Sequence, residues 1–328
     1  MAETDAPIVI GLNAVILAAD EAEPWVLTLN ADAGGAPALP FGPFAPDDHR
    51  TLEIGLRDWV RAQTDFPLGY VEQLYTFGDQ GREAPLAELL GADRSRVISV
   101  GYLALTRREG AAAPKNATWA VWRTFFPWED WRKGRPDLID TVIAPGLEAW
   151  ADRAQTQGAR AARRDRARAL FAQDGRAWNE ERVLDRYELL YEAGLAPEAS
   201  RDRARAGLPP PSGPAEPRLG AVMASDHRRI LATAIGRVRG KLKYRPIVFD
   251  LVPETFTLSE LQHTVEAILG GCLHKQNFRR ALERAGLVEG TGQMRAATGG
   301  RPAELYRYRR SAFKDLPQMG LPTPSRTG

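Results

Sequence analysis

Residues 257–269 read TLSELQHTVEAIL, residues 270–271 are two glycines, and residues 274–286 read HKQNFRRALERAG. The Thr257-x-x-Glu260 spacing is a capping-box pattern, which predicts the start of a helix, and the glycine pair predicts its end. Two β-type stretches follow, at 287–291 and 305–308, joined by a loop that ends in Gly-Gly-Arg-Pro. A helix, a turn, a second helix and a β-hairpin in this order predict a winged helix-turn-helix domain, whose usual partner is double-stranded DNA.

The second helix carries the residues that we expect to contact DNA. Phe278, Ala281, Leu282 and Ala285 recur at helical spacing and form its inward face. Its exposed side is left with Lys275, Gln276, Asn277, Arg279, Arg280 and Arg284. The first three are nearest the helix N-terminus and are predicted to read base edges, whereas the arginines are predicted to hold phosphates.

Two further arginines are assigned to the wing. Arg295 and Arg301 flank its glycine-rich loop, and an arginine at such a tip can enter a narrow minor groove. The alternative to DNA binding is a charged helical pair that packs on a partner protein.

The charge of the chain is unevenly distributed. Its net charge is +2, but residues 226–310 hold 16 Lys and Arg against 8 Asp and Glu, a net of +8. The remainder is therefore acidic, with a net of −6. A basic segment joined to an acidic one is the pattern expected of a nucleic-acid binder with a separate effector part.

Composition places the chain among soluble intracellular proteins. Apolar residues make up 44% and charged residues 26% of its 328 residues, and no apolar run approaches the roughly 18 residues that span a membrane. Cys272 is its single cysteine, so no internal disulfide is expected and a cytoplasmic location is predicted. The four histidines lack metal-ligand spacing, so no structural metal is predicted.

Residues 8–145 have the pattern of a mixed α/β layer. Strands are predicted at 8–17, 25–29, 70–75, 97–105 and 119–126, and a helix at 51–62. Farther along, residues 147–195 are predicted to be helical, 196–220 to be a linker or an ordered excursion without regular structure, and 226–243 to be a helix with Asp226 as its N-cap.

Two side-chain clusters have alternative interpretations. Trp119, Trp122, Trp128 and Trp131 are predicted to form a core edge or a dimer interface, with a base-stacking platform as the alternative. The arginines between 160 and 168 are predicted to lie on a solvated helix, with DNA contact as the alternative.

Five segments carry a resemblance to a known family. They are KLKYRP at 241–246, FTLSELQ at 256–262, NFRR at 277–280, GRPA at 300–303 and GYVEQLYTFGD at 69–79. Together they resemble the Nudix-related transcriptional regulators of the NrtR type. The stretch HRTLE at 49–53 and the long insert before Asp226 are closer to the NadQ-type regulators of NAD synthesis.

The resemblance implies a fold and a division of the chain. The expected class is α+β, with an N-terminal Nudix-like α/β/α domain and a C-terminal winged helix-turn-helix. The predicted limits are 1–148 for an effector-sensing domain and 149–225 for a helical insert and proline-rich linker. Residues 226–312 are then the DNA-binding domain, and 313–328 a flexible tail.

The same comparison predicts a catalytically degenerate Nudix site. An active Nudix helix has the form Gly-x5-Glu-x7-Arg-Glu-x-x-Glu-Glu, and its carboxylates hold Mg²⁺. Aligning Arg57 with the motif arginine places Arg61 and Ala62 where the essential glutamates should be, and Asp58 alone cannot make the site. We therefore predict no catalysis and no bound metal.

The degenerate site is interpreted as an effector site. Arg57 and Arg61 suit phosphate oxygens, and Phe41, Tyr75 and Phe77 offer rings on which a base can stack. Each of these rings has an ordinary core or sheet position as its alternative. The resemblance implies NAD, ATP or ADP-ribose as the effector, without a choice among them, and no cofactor.

The functional prediction is a cytoplasmic repressor of NAD-synthesis genes that senses a nucleotide. We expect it to act as a homodimer on double-stranded operator DNA, because one recognition helix reads too few base pairs. The first alternative is a Nudix-type pyrophosphohydrolase with an unusual metal site. A protein-binding adaptor is the second, and it would have no salt-dependent affinity for DNA.

Overall fold

The computed structural model describes residues 8–30, 35–79, 82, 96–108, 116–210, 219–296 and 302–309. No helix in these ranges is long and apolar enough to cross a membrane.

A six-stranded sheet organises the N-terminal part of the chain. Its strands are β1 (Ile8–Ala19), β2 (Pro24–Leu29), β3 (Phe41–Pro43), β4 (Val71–Phe77), β5 (Arg96–Leu105) and β6 (Ala117–Val121). The order is β4-β5-β1-β2-β6, and β3 pairs with β1. β1 is parallel to β5 and antiparallel to β2 and β3.

The two faces of this sheet pack into different cores. Side chains alternate along a strand, so Leu12 and Ile16 of β1 face one core while Val15 and Leu17 face the other. Helix α1 (Leu52–Thr64) covers the first face through Leu56 and Val60. Its Thr51 N-cap accepts a hydrogen bond from the Ile54 N–H. The predicted strands at 8–17, 25–29, 70–75 and 97–105 and the predicted helix at 51–62 are confirmed.

The predicted strand at 119–126 is wrong beyond Val121. The chain turns there through short 3₁₀ segments at Trp122–Thr124 and Pro127–Glu129. Trp122, Phe125 and Phe126 are all buried in one core. In a strand, whose period is two, Phe125 would face away from Trp122 and Phe126, so the burial of all three rings in one core favours a turn. The core interpretation is confirmed for Trp122 and Trp128, each 1% exposed.

The segment after β6 is helical and packs on the second face of the sheet. Its helices are α2 (Ala144–Asp152), α3 (Gln157–Leu170), α4 (Val183–Glu192) and α5 (Pro197–Arg205). The first three confirm the predicted helical region at 147–195. Leu147, Leu170 and Leu190 join the same core as Val15 of the sheet, so this region is an integral part of the folded body.

Helix α5 lies inside the predicted linker at 196–220, and this part of the prediction is wrong. Pro197 occupies the first turn of α5, where the missing N–H costs nothing. Glu198 is buried at 1% exposure and fastens the helix to the core. α2 also spans the predicted domain limit at residue 148, and the limits themselves stay a prediction.

Helix α6 (His227–Leu242) confirms the helix predicted at 226–243 and contacts most of the molecule. It packs against β1, β4, β5 and α4, and also against α7 (Leu258–Leu269) of the C-terminal domain. Asp226 is the N-cap residue, but its side chain makes no capping bond. The Asp226 carboxylate instead pairs with Arg229 at 3.2 Å, which corrects the predicted capping role.

The C-terminal domain has the predicted winged helix arrangement. Helix α7 begins with the expected capping box, and Gly270 ends it in the left-handed conformation at φ 67°. Helix α8 (Lys275–Ala285) follows, and Gly286 ends it in the same way. Strands β8 (Val288–Arg295) and β9 (Ala303–Tyr308) form the hairpin, with β7 (Thr255–Phe256) on the other edge of β9.

Candidate functional site

Helix α8 presents the predicted DNA-contacting residues on one exposed side. Phe278, Leu282 and Ala285 are buried and Ala281 is half-buried, which fixes the rotation of the helix. The exposed positions are Lys275, Gln276, Asn277, Arg279, Arg280 and Arg284. Four cationic and two amide side chains therefore face solvent together, and this is the composition that contacts phosphates and base edges.

The structure describes one of the two arginines that were predicted for the wing. Arg295 is the last residue of β8, and its guanidinium donates to the carboxylate of Glu260 in α7. In this conformation the side chain is held against the helix, which differs from the loop-tip position that we predicted. Arg301 lies outside the described residues.

Helix α6 does not contribute to a basic surface as the charge count implied. Its cations, and Lys243 just after it, pair with carboxylates of the N-terminal two thirds of the chain. These pairs are Arg228–Glu198, Arg229–Glu188, Arg237–Glu72, Arg239–Glu129, Lys241–Glu72 and Lys243–Glu181. The uneven charge along the sequence is thus partly cancelled inside the folded molecule, and α8 keeps four exposed cations.

The arginines of α3 are also paired within the chain. Arg164 contacts Glu148 and Asp152, and Arg166 contacts Glu192. This pairing favours the solvated-helix interpretation of the segment over contact with DNA.

The predicted effector residues lie around α1 and the first turn of α6. Phe41 is half-buried, with its ring edge-on to His227 at 5.1 Å between centroids. Phe77 is 1% exposed and lies 5.1 Å from the Arg229 guanidinium. Tyr75 contacts Phe77 and is 61% exposed. Of the three rings, Tyr75 is the most accessible, whereas Phe77 occupies the core position that was its alternative.

The two predicted phosphate-binding arginines are not equivalent. Arg57 donates to Glu53 and to the carbonyls of Leu68 and Gly69, so its guanidinium holds α1 to the segment that leads into β4. Arg61 is exposed on α1 and, within the described residues, makes no side-chain hydrogen bond or ion pair. Only Arg61 is therefore open to an incoming phosphate in this structure.

The positions that the sequence alignment assigned to the Nudix carboxylates share one helical face. Asp58, Arg61 and Ala62 are exposed on α1 at spacings of three and four residues. In the described ranges no group of three or more His, Cys, Asp or Glu side chains could hold a metal ion. The face that binds Mg²⁺ in the motif thus offers one carboxylate beside one guanidinium.

His227 joins the first turn of α6 to the loop before β3. Its Nδ1 accepts a hydrogen bond of 3.0 Å from the Leu39 N–H, which requires a neutral ring. Burial, with a contribution from the charge of Arg201, lowers the pKa of His227 to about 3.

The neutral state of His227 predicts a pH dependence of stability. The unfolded imidazole protonates near its ordinary pKa of about 6.5, so stability from this group is present above that pH and is lost as pH falls towards 3. Between pH 6 and 4 we expect the wild-type free energy of unfolding to fall more steeply than that of His227→Gln, by up to about 1.4 kcal/mol per pH unit. Urea titrations at each pH measure both slopes, and equal slopes would contradict the prediction.

Sequence reasoning missed three buried arginines, Arg186, Arg228 and Arg239, each at most 1% exposed. Each lies three or four residues from buried apolar positions of its own helix, as Arg239 does from Ile235 and Leu242. A cation on an apolar helix face was the available signal, since a buried arginine requires a carboxylate partner.

Comparisons with known proteins agree with this architecture. Residues 248–308 match the model of the NrtR DNA-binding winged helix domain family. Over 86 residues the chain is 44% identical to the ADPR responsive transcriptional repressor NtrR of Acinetobacter baylyi. That alignment covers 26% of this chain and 34% of the relative, so the chain matches about a third of the length of this curated protein.

Two solved structures resemble the whole chain. The crystal structure of Shewanella oneidensis NrtR complexed with a 27mer DNA has a TM-score of 0.53 at 20% identity and covers 96% of this chain and 99% of that one. A second crystal structure of S. oneidensis NrtR has a TM-score of 0.50 at 19% identity, covering 92% and 94%. At this identity the likeness concerns the fold.

The fold defines a class of protein in which a mixed α/β sheet domain is joined to a winged helix domain. Within that class, the C-terminal domain is of the NrtR type and the chain has the NrtR fold, which confirms the predicted family resemblance and fold class. The closer relation to NadQ-type regulators stays a prediction.

Proposed function

We propose that this chain is a DNA-binding transcriptional repressor whose Nudix-like domain senses a nucleotide. The observation that carries the proposal is the exposed side of α8, where six DNA-suited side chains stand on the second helix of an NrtR-type winged helix. The Acinetobacter relative is an ADPR responsive repressor, which favours ADP-ribose over NAD and ATP as the effector.

We also propose how the protein binds its operator and its effector. The protein acts in the cytoplasm as a homodimer, so that two α8 helices contact successive half-sites, and the genes it represses are those of NAD synthesis. Phosphates of the effector are bound at Arg61, and its base stacks on Tyr75.

The Nudix-like domain is proposed to bind its ligand without hydrolysing it. A second carboxylate beside Asp58 would be needed to hold Mg²⁺, and Arg61 stands there with a charge that repels the ion. The Arg57 guanidinium is engaged by Glu53 and two carbonyls, which supports a structural role for it.

One experiment tests both halves of the proposal. DNA fragments selected from a random double-stranded pool by the full chain supply the operator, and its affinity is then measured by fluorescence anisotropy with and without ADP-ribose. We expect specific binding in the range of about 10⁻⁸ to 10⁻¹¹ M that changes when ADP-ribose is added, with no AMP released in the presence of Mg²⁺. NAD and ATP are the comparison ligands.

Three other outcomes of this experiment would each contradict a different part of the proposal. Failure to select any DNA would support the adaptor alternative, whereas release of AMP would support the hydrolase. DNA binding that none of the three nucleotides changes would contradict the sensing role.

A further inference from the structure

A fully buried carboxylate lies where three distant segments of the chain meet. Glu129, in the turn after β6, is 1% exposed. Its Oε1 and Oε2 accept hydrogen bonds of 2.6 and 2.9 Å from Arg186 of α4. Oε2 also accepts from Arg239 of α6 at 2.5 Å. Glu129 thus joins the sheet side of the molecule to α4 and α6.

The surroundings of Glu129 determine its ionisation state. Burial by itself raises the pKa of the Glu129 carboxyl, but the charges of Arg186 and Arg239 and their hydrogen bonds outweigh it and lower the pKa. Arg186 also donates to the Asn179 carbonyl at 2.8 Å, and its guanidinium lies 3.7 Å from the centre of the Trp178 ring. The carboxylate is therefore ionised and held in one geometry.

The winged helix domain rests directly on this cluster. The last turn of α7 has carbonyls without partners in the helix, and other parts of the chain satisfy two of them. Arg239 donates through Nε to the Ile268 carbonyl at 2.9 Å, and the Trp131 N–H donates to the Gly270 carbonyl at 2.7 Å. A Cβ on Gly270 would meet the Glu129 carbonyl oxygen at 2.2 Å, so the two backbones are in close contact.

These contacts restrict how the winged helix domain can move. If α7 turned relative to the Glu129 segment, the Arg239 donors and the α7 carbonyls would lose their partners away from water, which is unfavourable. At the other end of α6, about 18 Å from Arg239 by helix geometry, His227 and Arg229 contact Phe41 and Phe77 of the proposed sensing region. One rigid helix therefore connects that region to the Glu129 cluster.

We propose that Glu129 is the positioning residue that couples the winged helix domain to the Nudix-like domain, so that the effector state determines the orientation of α7 and α8. The inference rests on the proposed function and adds the structural route by which the effector regulates DNA binding. Glu129 acts through Arg239 and the C-terminal end of α7 and touches neither DNA nor effector.

A second buried ion pair provides a matched control. Arg228 of α6 and Glu198 of α5 are 3.1 Å apart and 0% and 1% exposed. The remaining Arg228 hydrogen bonds go to the Phe125 and Leu219 carbonyls, and Glu198 also accepts from the Met223 N–H. Among the described contacts, this pair is buried like the Glu129 cluster, holds one arginine where that cluster holds two, and does not contact α7 or α8.

The test compares Glu129→Gln with Glu198→Gln in the full chain. Operator affinity is measured with and without saturating ADP-ribose, and the affinity for ADP-ribose is measured by calorimetry without DNA. In the wild type and in Glu198→Gln we expect the effector to change operator affinity by about 5- to 150-fold. In Glu129→Gln the two affinities should agree to within about twofold, while ADP-ribose binding is kept.

The outcomes separate the coupling from the proposed function. If the operator affinity of the wild type does not respond to ADP-ribose, the proposed function is wrong and the coupling is wrong with it. If the wild type responds and Glu129→Gln responds equally, or if both variants lose the response, Glu129 has no specific coupling role.

Gly270→Ala is a second variant that tests the coupling if Glu129→Gln does not fold. Gly270→Ala removes no buried charge, but its Cβ would meet the Glu129 carbonyl oxygen at 2.2 Å and Arg239 Nη2 at 3.0 Å, so the end of α7 must shift. We expect Gly270→Ala to bind the operator, and to bind ADP-ribose in the absence of DNA. The ratio of its operator affinities with and without ADP-ribose should fall towards one. An unchanged response in Gly270→Ala would overturn the proposal.

Discussion

Replacement of Glu129 by alanine is expected to lower the free energy of unfolding by about 3–5 kcal/mol. Arg186 and Arg239 would be left as two buried cations without the carboxylate that compensates them, and neither can reach water in the folded state. Urea denaturation followed by circular dichroism measures the change.

A surface glutamate provides the control for this measurement. Glu192 pairs with Arg166, and both side chains are more than 40% exposed. Because solvent screens such pairs, Glu192→Ala should change stability by about 1 kcal/mol at most. Equal losses in the two variants would contradict the assignment of Glu129 as a buried structural charge.

The second large effect is expected at helix α8. If Arg279, Arg280 and Arg284 contact phosphates, replacing all three by alanine removes up to three contacts with the DNA backbone. The dependence of log affinity on log salt concentration should then become shallower by about 2–3, and binding to all DNA sequences should weaken. Asn277→Ala should differ, lowering preference for the operator by about 1–3 kcal/mol with little change in the salt slope.

The control is a triple variant with the same change in net charge. Arg166, Arg168 and Arg176 are similarly exposed, between 43% and 45%, but pair with carboxylates around α3. Their replacement by alanine should leave the salt dependence unchanged. If both triple variants reduce the slope equally, the effect comes from net charge and α8 is not the DNA-contacting helix.

Local signals predicted the winged helix domain well. The capping box at Thr257, the left-handed glycines 270 and 286 and the apolar spacing of α8 are each local to one helix or one helix end. The sequence alone therefore indicates where the two helices begin and end. The exposed side of α8 followed from this spacing alone, and its six predicted residues are all exposed.

Predictions that depended on long-range packing were less accurate. The turn at Trp122 and the helix at Pro197 form because aromatic rings and Glu198 are buried by segments far away in sequence. The hydrogen bonds from Arg57 to the carbonyls of Leu68 and Gly69 were likewise not predicted, because they form only in the folded chain, and the phosphate-binding role of Arg57 stays a prediction.

The sequence by itself determined the class of the C-terminal domain and the residues on the exposed side of α8. Tertiary structure alone decided which carboxylate compensates each buried arginine. Arg186 and Arg239 both pair with Glu129, whereas Arg228 pairs with Glu198. The physical reason is that an ion pair depends on two side chains meeting in space, and the partner of Arg239 lies 110 residues away.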